Sequence, residues 1–331
     1  MLKLRRVCVP LSMDCNLHCR YCYRAKERPA FIPAFSEDMK TYLRQLSPDW
    51  CEAVIASGGE PLMHWDKVQE LFSYVPQNVH KKIMSNCSLL TQEMVDYINE
   101  NDIELNISHD GKQTAFLRGV DVLSSSKLLG LLQQVKYIRC FCVITKYNYD
   151  VWENFFDTVF RLGRTDIFYA AFPMGDIPVQ YDLIADFPYE KWFETWAQFN
   201  VSKYAYHLPW YDGKTLKNHK SSSLRPAGFN ILPDGTVCGM VRICSTYGSI
   251  HSTDYAECYA TFKRSGGLAY CEKVNCPYID TCDFSPQFAS EHICRCRRMV
   301  MEKFTPDYIS SLREYVASHL SEIESHYGFE P

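Results

Sequence analysis

No apolar run in this 331-residue chain reaches the length a membrane-spanning helix needs. The opening segment KLRRVCVPLSM is too short and too soon interrupted to serve as a secretory signal. Basic residues are in no excess. The net charge is −4 with both signs spread along the chain, so the cationic footprint of a nucleic-acid binder is missing. Internal repeats and low-complexity tracts are absent too. Polar, disordered composition is excluded by an apolar content of 47%, ample for a large core. The expectation is a cytoplasmic protein with neither a membrane nor a nucleic acid as partner.

Cysteine, in contrast, is abundant. Sixteen thiols without a signal peptide point to metal or redox use rather than disulfides. Cys8, Cys51, Cys87, Cys140 and Cys142 lie in or beside strand-like runs, where free cysteines pack as small apolar groups. Three more crowd the loop SMDCNLHCRYCYRAKERP: Cys15, Cys19 and Cys22. The remaining eight come late: Cys238, Cys244, Cys258, Cys271, Cys276, Cys282, Cys294 and Cys296.

Strand-like and helix-like patterns alternate over the first two-thirds of the chain. Strands are expected at 5–12, 51–57, 81–86, 103–108, 137–145 and 166–172, and helices at 36–46, 65–74, 91–100, 124–135, 150–163 and 188–201. Ser36 and Thr91 stand where helix N-caps belong. Six β–α repeats with apolar strands predict a parallel sheet covered by helices. Six units rather than eight predict a partial (β/α)6 barrel, with ligands at the carboxyl ends of the strands. A polar stretch at 202–225 reads as a bridge. FNILPDGTVCGM (229–240) reads as a β-hairpin around its PDG turn. A final helix is expected at about 306–325.

The three-cysteine loop follows the first strand and so lies where the site should be. Gaps of three and two residues let the thiolates converge on one centre. Iron–sulfur clusters normally take four thiolates, so three leave one iron open, as catalytic metal sites do. A zinc knuckle needs paired CxxC halves, and only Cys19 and Cys22 make one. His18, beside Cys19, is badly placed to share its metal.

The triad CxxxCxxC, with Tyr21 before its last cysteine, resembles the signature of the radical S-adenosylmethionine (AdoMet, SAM) superfamily. ASGGEPLM after the second strand is similar to that family's GGE motif. MSNCSLLT resembles its TNG stretch, with Cys87 in place of glycine, and NISHDG resembles its SLDG stretch. The resemblance runs through about residues 4–200. It implies that Cys15, Cys19 and Cys22 hold a 4Fe–4S cluster and that Gly58, Gly59 and Glu60 bind the methionyl amine. Ser108 and Asp110 would face the ribose, or simply form a turn before Gly111. Arg118 would pair with the AdoMet carboxylate, a task suited to a guanidinium, or would be a solvated helix residue. The implied chemistry is reductive cleavage of AdoMet to a 5′-deoxyadenosyl radical, which abstracts hydrogen from an unactivated carbon.

The late cysteines resemble the SPASM extension of peptide-modifying radical SAM enzymes. The implied organisation is a barrel at 1–201, the bridge at 202–225, an auxiliary-cluster domain at 226–305 and a terminal helix at 306–331. Cys238, Cys244, Cys258 and Cys294 are assigned to one auxiliary 4Fe–4S cluster, and Cys271, Cys276, Cys282 and Cys296 to a second. Cys294 and Cys296 are exchangeable in this scheme, because Pro286 occupies the place of the family's last cysteine. A single auxiliary cluster, or zinc in the tail, are the alternatives. With the triad, the expectation is three 4Fe–4S clusters.

The implied partners are a peptide substrate and a flavodoxin or ferredoxin donor. Because the barrel begins almost at Met1, a separate leader-binding protein is expected to present the peptide, unless the barrel binds it directly. The product would be an oxidised, crosslinked or epimerised peptide. Oxidation or epimerisation of a small molecule such as an aminoglycoside is the second reading, and a non-catalytic iron–sulfur electron carrier the third. Sulfatase-maturing relatives carry an aspartate where Tyr259 follows Cys258, which counts against that activity. Asp176, after the sixth strand, is the acid–base candidate, with His109, His207 and Tyr169 behind it.

Overall fold

The computed structural model describes residues 2–4, 6–22, 33–174, 181–205, 229–239, 246–251, 254–265, 269–277 and 290–329. Asp176, Cys244, Cys282, His207 and most of the 202–225 bridge lie outside the described residues.

Six parallel strands build the barrel: β1 (Arg6–Ser12), β2 (Ala53–Gly58), β3 (His80–Ser85), β4 (Glu104–Ser108), β5 (Tyr137–Ile144) and β6 (Phe168–Pro173). Each pairs in parallel with its neighbour in chain order. Between them run α1 (Glu37–Arg44), α2 (Trp65–Tyr74), α3 (Gln92–Glu100), the short α4 (Thr114–Arg118), α5 (Ser126–Gln134) and α6 (Val151–Leu162), with α7 (Tyr189–Val201) after β6. The fold is mixed α/β, an open partial barrel.

Local chemistry explains the elements. The hydroxyls of Ser36 and Thr91 accept from Met39 N and Met94 N and so cap α1 and α3. Strand residues alternate between two faces. Val7, Val9, Leu11, Leu105, Ile107 and Ile138 turn to the helices and form the core with Trp152, Phe155 and Phe156. The opposite face is more open. There Phe141 and Phe172 stack at 5.9 Å, and Met84 is exposed.

The hairpin forms around its PDG turn, with β7 (Phe229–Ile231) antiparallel to β8 (Thr236–Gly239) and Gly235 at φ +87°. It does not stand apart. β7 pairs in parallel with β1 at Cys8–Asn230, and β9 (Thr246–Ser249) follows β8. One nine-stranded sheet results among the described residues, in the order β6-β5-β4-β3-β2-β1-β7-β8-β9.

Helices α8 (Tyr255–Arg264), α9 (Ala269–Lys273), α10 (Glu291–Lys303) and α11 (Pro306–His326) complete the tail. The end of α10 and the start of α11 lean on α7 through Phe304 against Trp196, at 5.1 Å, and Tyr308 stacked on Phe193. Glu324, buried near the end of α11, accepts from the Tyr204 hydroxyl at 2.5 Å and pairs with Lys203 at 2.9 Å. None of the described helices is long and apolar enough to cross a membrane.

Candidate functional site

The cysteine loop leaves β1 at Ser12 and lies over the carboxyl end of the sheet. Three neighbours fix it. Gly59 N donates to Ser12 O, and Glu60 N to Asp14 O, each at 2.7 Å. Arg20 N donates to Leu117 O of α4 at 2.8 Å. From the end of β3, Asn86 Nδ2 donates to Asn16 Oδ1 at 3.0 Å and reaches Cys15 Sγ at 3.9 Å.

Gly58 and Gly59 earn their places against this loop. A Cβ on Gly58 would lie 2.1 Å from Ser12 O, and one on Gly59 1.9 Å from Asp14 O. Gly58 also has φ +129°, where glycine is at ease. The close approach that requires glycine is to the cysteine loop itself.

Glu60 is buried, and its carboxylate already has partners. It accepts from Ser85 Oγ at 2.6 Å, Asn86 N at 2.7 Å and Leu62 N at 3.1 Å. Burial raises its pKa, and these three donors pull it back. Glu60 thus ties the start of the GGE turn to the end of β3. Each buried donor left without an acceptor costs about 1–3 kcal/mol. Glu60→Ala is therefore expected to lower folding stability by roughly 3 kcal/mol or more. Thermal denaturation checks this, and an unchanged melting temperature would refute the assigned role.

The next residues of β3's loop follow the same logic. Cys87 is buried and takes φ +59°, the left-handed conformation that the glycine of TNG-type turns adopts freely. Its N–H is held by Ser85 Oγ at 2.8 Å.

At the end of β4, Asp110 is wholly buried. Tyr21 Oη donates to Asp110 Oδ2 at 2.5 Å and Arg118 Nε to the same oxygen at 2.7 Å. Asp110 Oδ1 accepts from Arg118 Nη2 at 3.3 Å and from Val143 N at 2.8 Å. The guanidinium lies over the Tyr21 ring, 5.1 Å from its centre. Burial works against its charge, but Asp110, Tyr21 and Cys19 together outweigh burial and hold Arg118 protonated. Ser108 ends β4 on the open face, opposite Phe141.

Two weaker candidates lie elsewhere. His109 is buried, with Nδ1 2.9 Å from Thr158 Oγ1 of α6 and Nε2 3.5 Å from Asp121. Tyr169 is buried against Phe155 and Phe199. Both belong to the helix layer rather than the open face of the barrel.

The loop's donor set suits an iron–sulfur cluster. All three thiols are half-exposed, and Cys15 Sγ accepts from Leu17 N at 3.4 Å, a bond suited to a sulfur carrying negative charge. Burial pushes the Cys19 thiol up to about 11, Arg118 draws it down, and Cys22 and Cys15 each add a smaller upward push. Among the described residues no three Cys, His, Asp or Glu side chains close around a single ion. A cluster, with one thiolate per iron, spreads its ligands wider.

In the tail, Cys238, Cys258 and Cys296 are buried, whereas Cys271, Cys276 and Cys294 are half-exposed. Cys238 packs against Met13 of the cysteine loop. Cys294 and Cys296 lie two residues apart on α10, hence on opposite sides of the helix. Burial raises the pKa of the Cys294 thiol, and nearby Cys276 adds a smaller push in the same direction.

Parallel strands in an open barrel, with a three-thiol loop at its carboxyl end, define a partial-barrel class of α/β protein. Residues 9–118, about a third of the chain, match the family model of the radical SAM superfamily. Among curated proteins, an uncharacterized protein of Methanocaldococcus jannaschii is 27% identical over 119 residues, which cover 33% of this chain and 39% of that protein. Among solved structures, anSMEcpe with bound AdoMet and Cp18Cys peptide is similar at a TM-score of 0.62 and 17% identity, covering 94% of this chain and 99% of that one. SuiB of Streptococcus suis bound to S-adenosylmethionine is similar at 0.60 and 16%, covering 88% and 77%. At these identities the likeness establishes the shared fold.

Proposed function

We propose that this chain is a radical SAM enzyme that splits AdoMet reductively and uses the product to abstract hydrogen from a peptide. The observation that carries the reading is the cysteine loop pinned backbone-to-backbone by Gly59 and Glu60 at the open end of the barrel. Cys15, Cys19 and Cys22 would hold a 4Fe–4S cluster, offering three thiolates where such clusters normally take four. When bound, that cluster supplies the electron that breaks the sulfonium C–S bond. The Gly58–Glu60 turn flanks the methionyl amine, and Ser108 stands on the open face beside the nucleoside. Phe141, Phe172 and Met84 give that face an apolar wall for substrate.

In the tail, the charge contact with Cys276 supports placing Cys294 with Cys271, Cys276 and Cys282. Cys296, on the buried side of the same helix, then joins Cys238, Cys244 and Cys258. Two auxiliary clusters, three in all, would carry off the electron left by hydrogen abstraction. A flavodoxin or ferredoxin supplies the first electron in the cytoplasm. A peptide substrate is supported by two fold neighbours, anSMEcpe with its bound Cp18Cys peptide and SuiB bound to precursor peptide SuiA. A separate protein presents the peptide or the barrel binds it directly, and Asp176 serves as the acid–base group.

The test is anaerobic incubation of the reconstituted, reduced protein with AdoMet and quantitation of 5′-deoxyadenosine. Release of 5′-deoxyadenosine and methionine is expected. No cleavage by fully loaded protein would sink the reading. Deuterium passing into 5′-deoxyadenosine from a deuterated aminoglycoside, and not from a deuterated peptide, would transfer it to a small-molecule substrate.

A further inference from the structure

The Asp110 carboxylate has about four lone-pair sites, two on each oxygen. All four are filled from inside the protein: Tyr21 Oη and Arg118 Nε on Oδ2, Arg118 Nη2 and Val143 N on Oδ1. The residue has no exposed surface. A ribose hydroxyl therefore has neither a free acceptor nor a path to one. Tyr21 lies between two of the three cluster cysteines, and Val143 lies on β5. The carboxylate thus joins the cysteine loop, α4 and β5 at one buried point.

Charge is the second consequence. Cys19 packs against the buried group that contains Tyr21 and Leu117, and the Arg118 guanidinium lies 5.1 Å from the centre of the Tyr21 ring, so Arg118 and Asp110 sit close to this thiol. Together they place a nearly compensated ion pair beside the middle cluster ligand.

We propose that Tyr21, Asp110 and Arg118 form a buried clamp in which Asp110 positions the cysteine loop and offsets the Arg118 charge beside the cluster, without touching the AdoMet ribose. This rests on the cluster reading above. A residue that bonds the ribose and one that holds the loop differ in what their loss does. A ribose ligand matters only when the hydroxyl is present. A clamp matters equally for every ligand and also moves the cluster's potential, because an uncompensated cation favours the reduced, more negative cluster.

Two measurements on the loaded full-length protein separate these roles. The first is the midpoint potential of the EPR signal that the Cys15→Ala/Cys19→Ala/Cys22→Ala variant lacks. Asp110→Asn is expected to raise it, and the double variant Asp110→Asn/Arg118→Met, which removes both charges, to return it toward the wild-type value. An unmoved potential in Asp110→Asn would overturn the electrostatic half of the proposal. The second is equilibrium binding of AdoMet and of its 2′-deoxy and 3′-deoxy analogues. A loss of about tenfold, or about 1.4 kcal/mol, is expected in Asp110→Asn for all three alike. A loss confined to AdoMet, absent with one deoxy analogue, would make Asp110 a ribose ligand and overturn the positioning half. Should Asp110→Asn fail to hold iron, Tyr21→Phe keeps both charges and submits to the same three-ligand comparison. An equal loss for all three ligands then supports the clamp, and a loss confined to AdoMet overturns it. A wild type that binds no AdoMet yet shows the predicted potentials would count against the proposed function and leave the clamp standing.

Discussion

Alanine in place of Cys19 is expected to abolish AdoMet cleavage and to remove about four irons per chain while the tail clusters stay. The expected size follows from ligand number. A 4Fe–4S cluster normally takes four thiolates, the loop offers three, and a loop reduced to two holds the cluster poorly. Cys19 is the middle thiol of the loop, half-buried and within electrostatic reach of both others. Among the described tail cysteines, Cys238 is carried by β8, Cys258 by α8, Cys271 by α9, and Cys294 and Cys296 by α10, none of them in the loop itself. Iron and acid-labile sulfide on wild type and on the Cys15→Ala/Cys19→Ala/Cys22→Ala variant make the measurement quantitative. About twelve irons falling to about eight means two tail clusters, and about eight falling to about four means one. Wild-type cleavage in the Cys19 variant would refute the assignment outright.

The second large effect is expected from a single methyl group. In Gly59→Ala the new carbon would lie 1.9 Å from Asp14 O, 2.5 Å from Asp14 C and 2.6 Å from Met13 O. All three are backbone atoms, so no side chain can swing aside. Either the turn or the cysteine loop must move, and the bonds from Gly59 N to Ser12 O and from Glu60 N to Asp14 O go with it. Overpacking of this kind costs about 3 kcal/mol. The functional loss should exceed the stability loss, because the displaced atoms lead straight into Cys15. The expected result is a chain with near-wild-type secondary structure, a lowered melting temperature and about four fewer irons. Circular dichroism with iron analysis checks it. Full iron occupancy and unchanged melting would show that the turn is not the loop's seat.

Much of the barrel was legible because its signals are local. The six strand runs and six helical stretches follow from apolar periodicity, and Ser36 and Thr91 act as the caps their positions announce. The PDG turn likewise made its hairpin visible. What escaped depends on contacts far apart in the chain. Nothing in FNILPDGTVCGM says that β7 will lie against β1. NISHDG does not reveal that His109 enters the helix layer while Asp110 meets a tyrosine 89 residues earlier. GGE reads as a ligand-binding turn, and the need for glycine proved to come from the neighbouring loop. For Cys294 and Cys296 a local signal did exist. The helical pattern of 291–303 sets residues two apart on opposite faces, which ties each cysteine to its own side of α10.

The seat of β1 has a consequence for how the chain is made. This first strand does not close an edge of the sheet. It lies inside, between β2 and β7, and its partner Asn230 follows Cys8 by more than two hundred residues. At about 5–20 residues per second, a ribosome needs on the order of 10–45 s to deliver that partner. Throughout this interval the strand that carries the cluster loop has one open edge, the kind that invites wrong pairing. Cys238, which packs beside Met13, is also not yet made. The nascent barrel therefore waits with its cysteine loop half-walled, and the surroundings of that loop are complete only after the hairpin has left the ribosome.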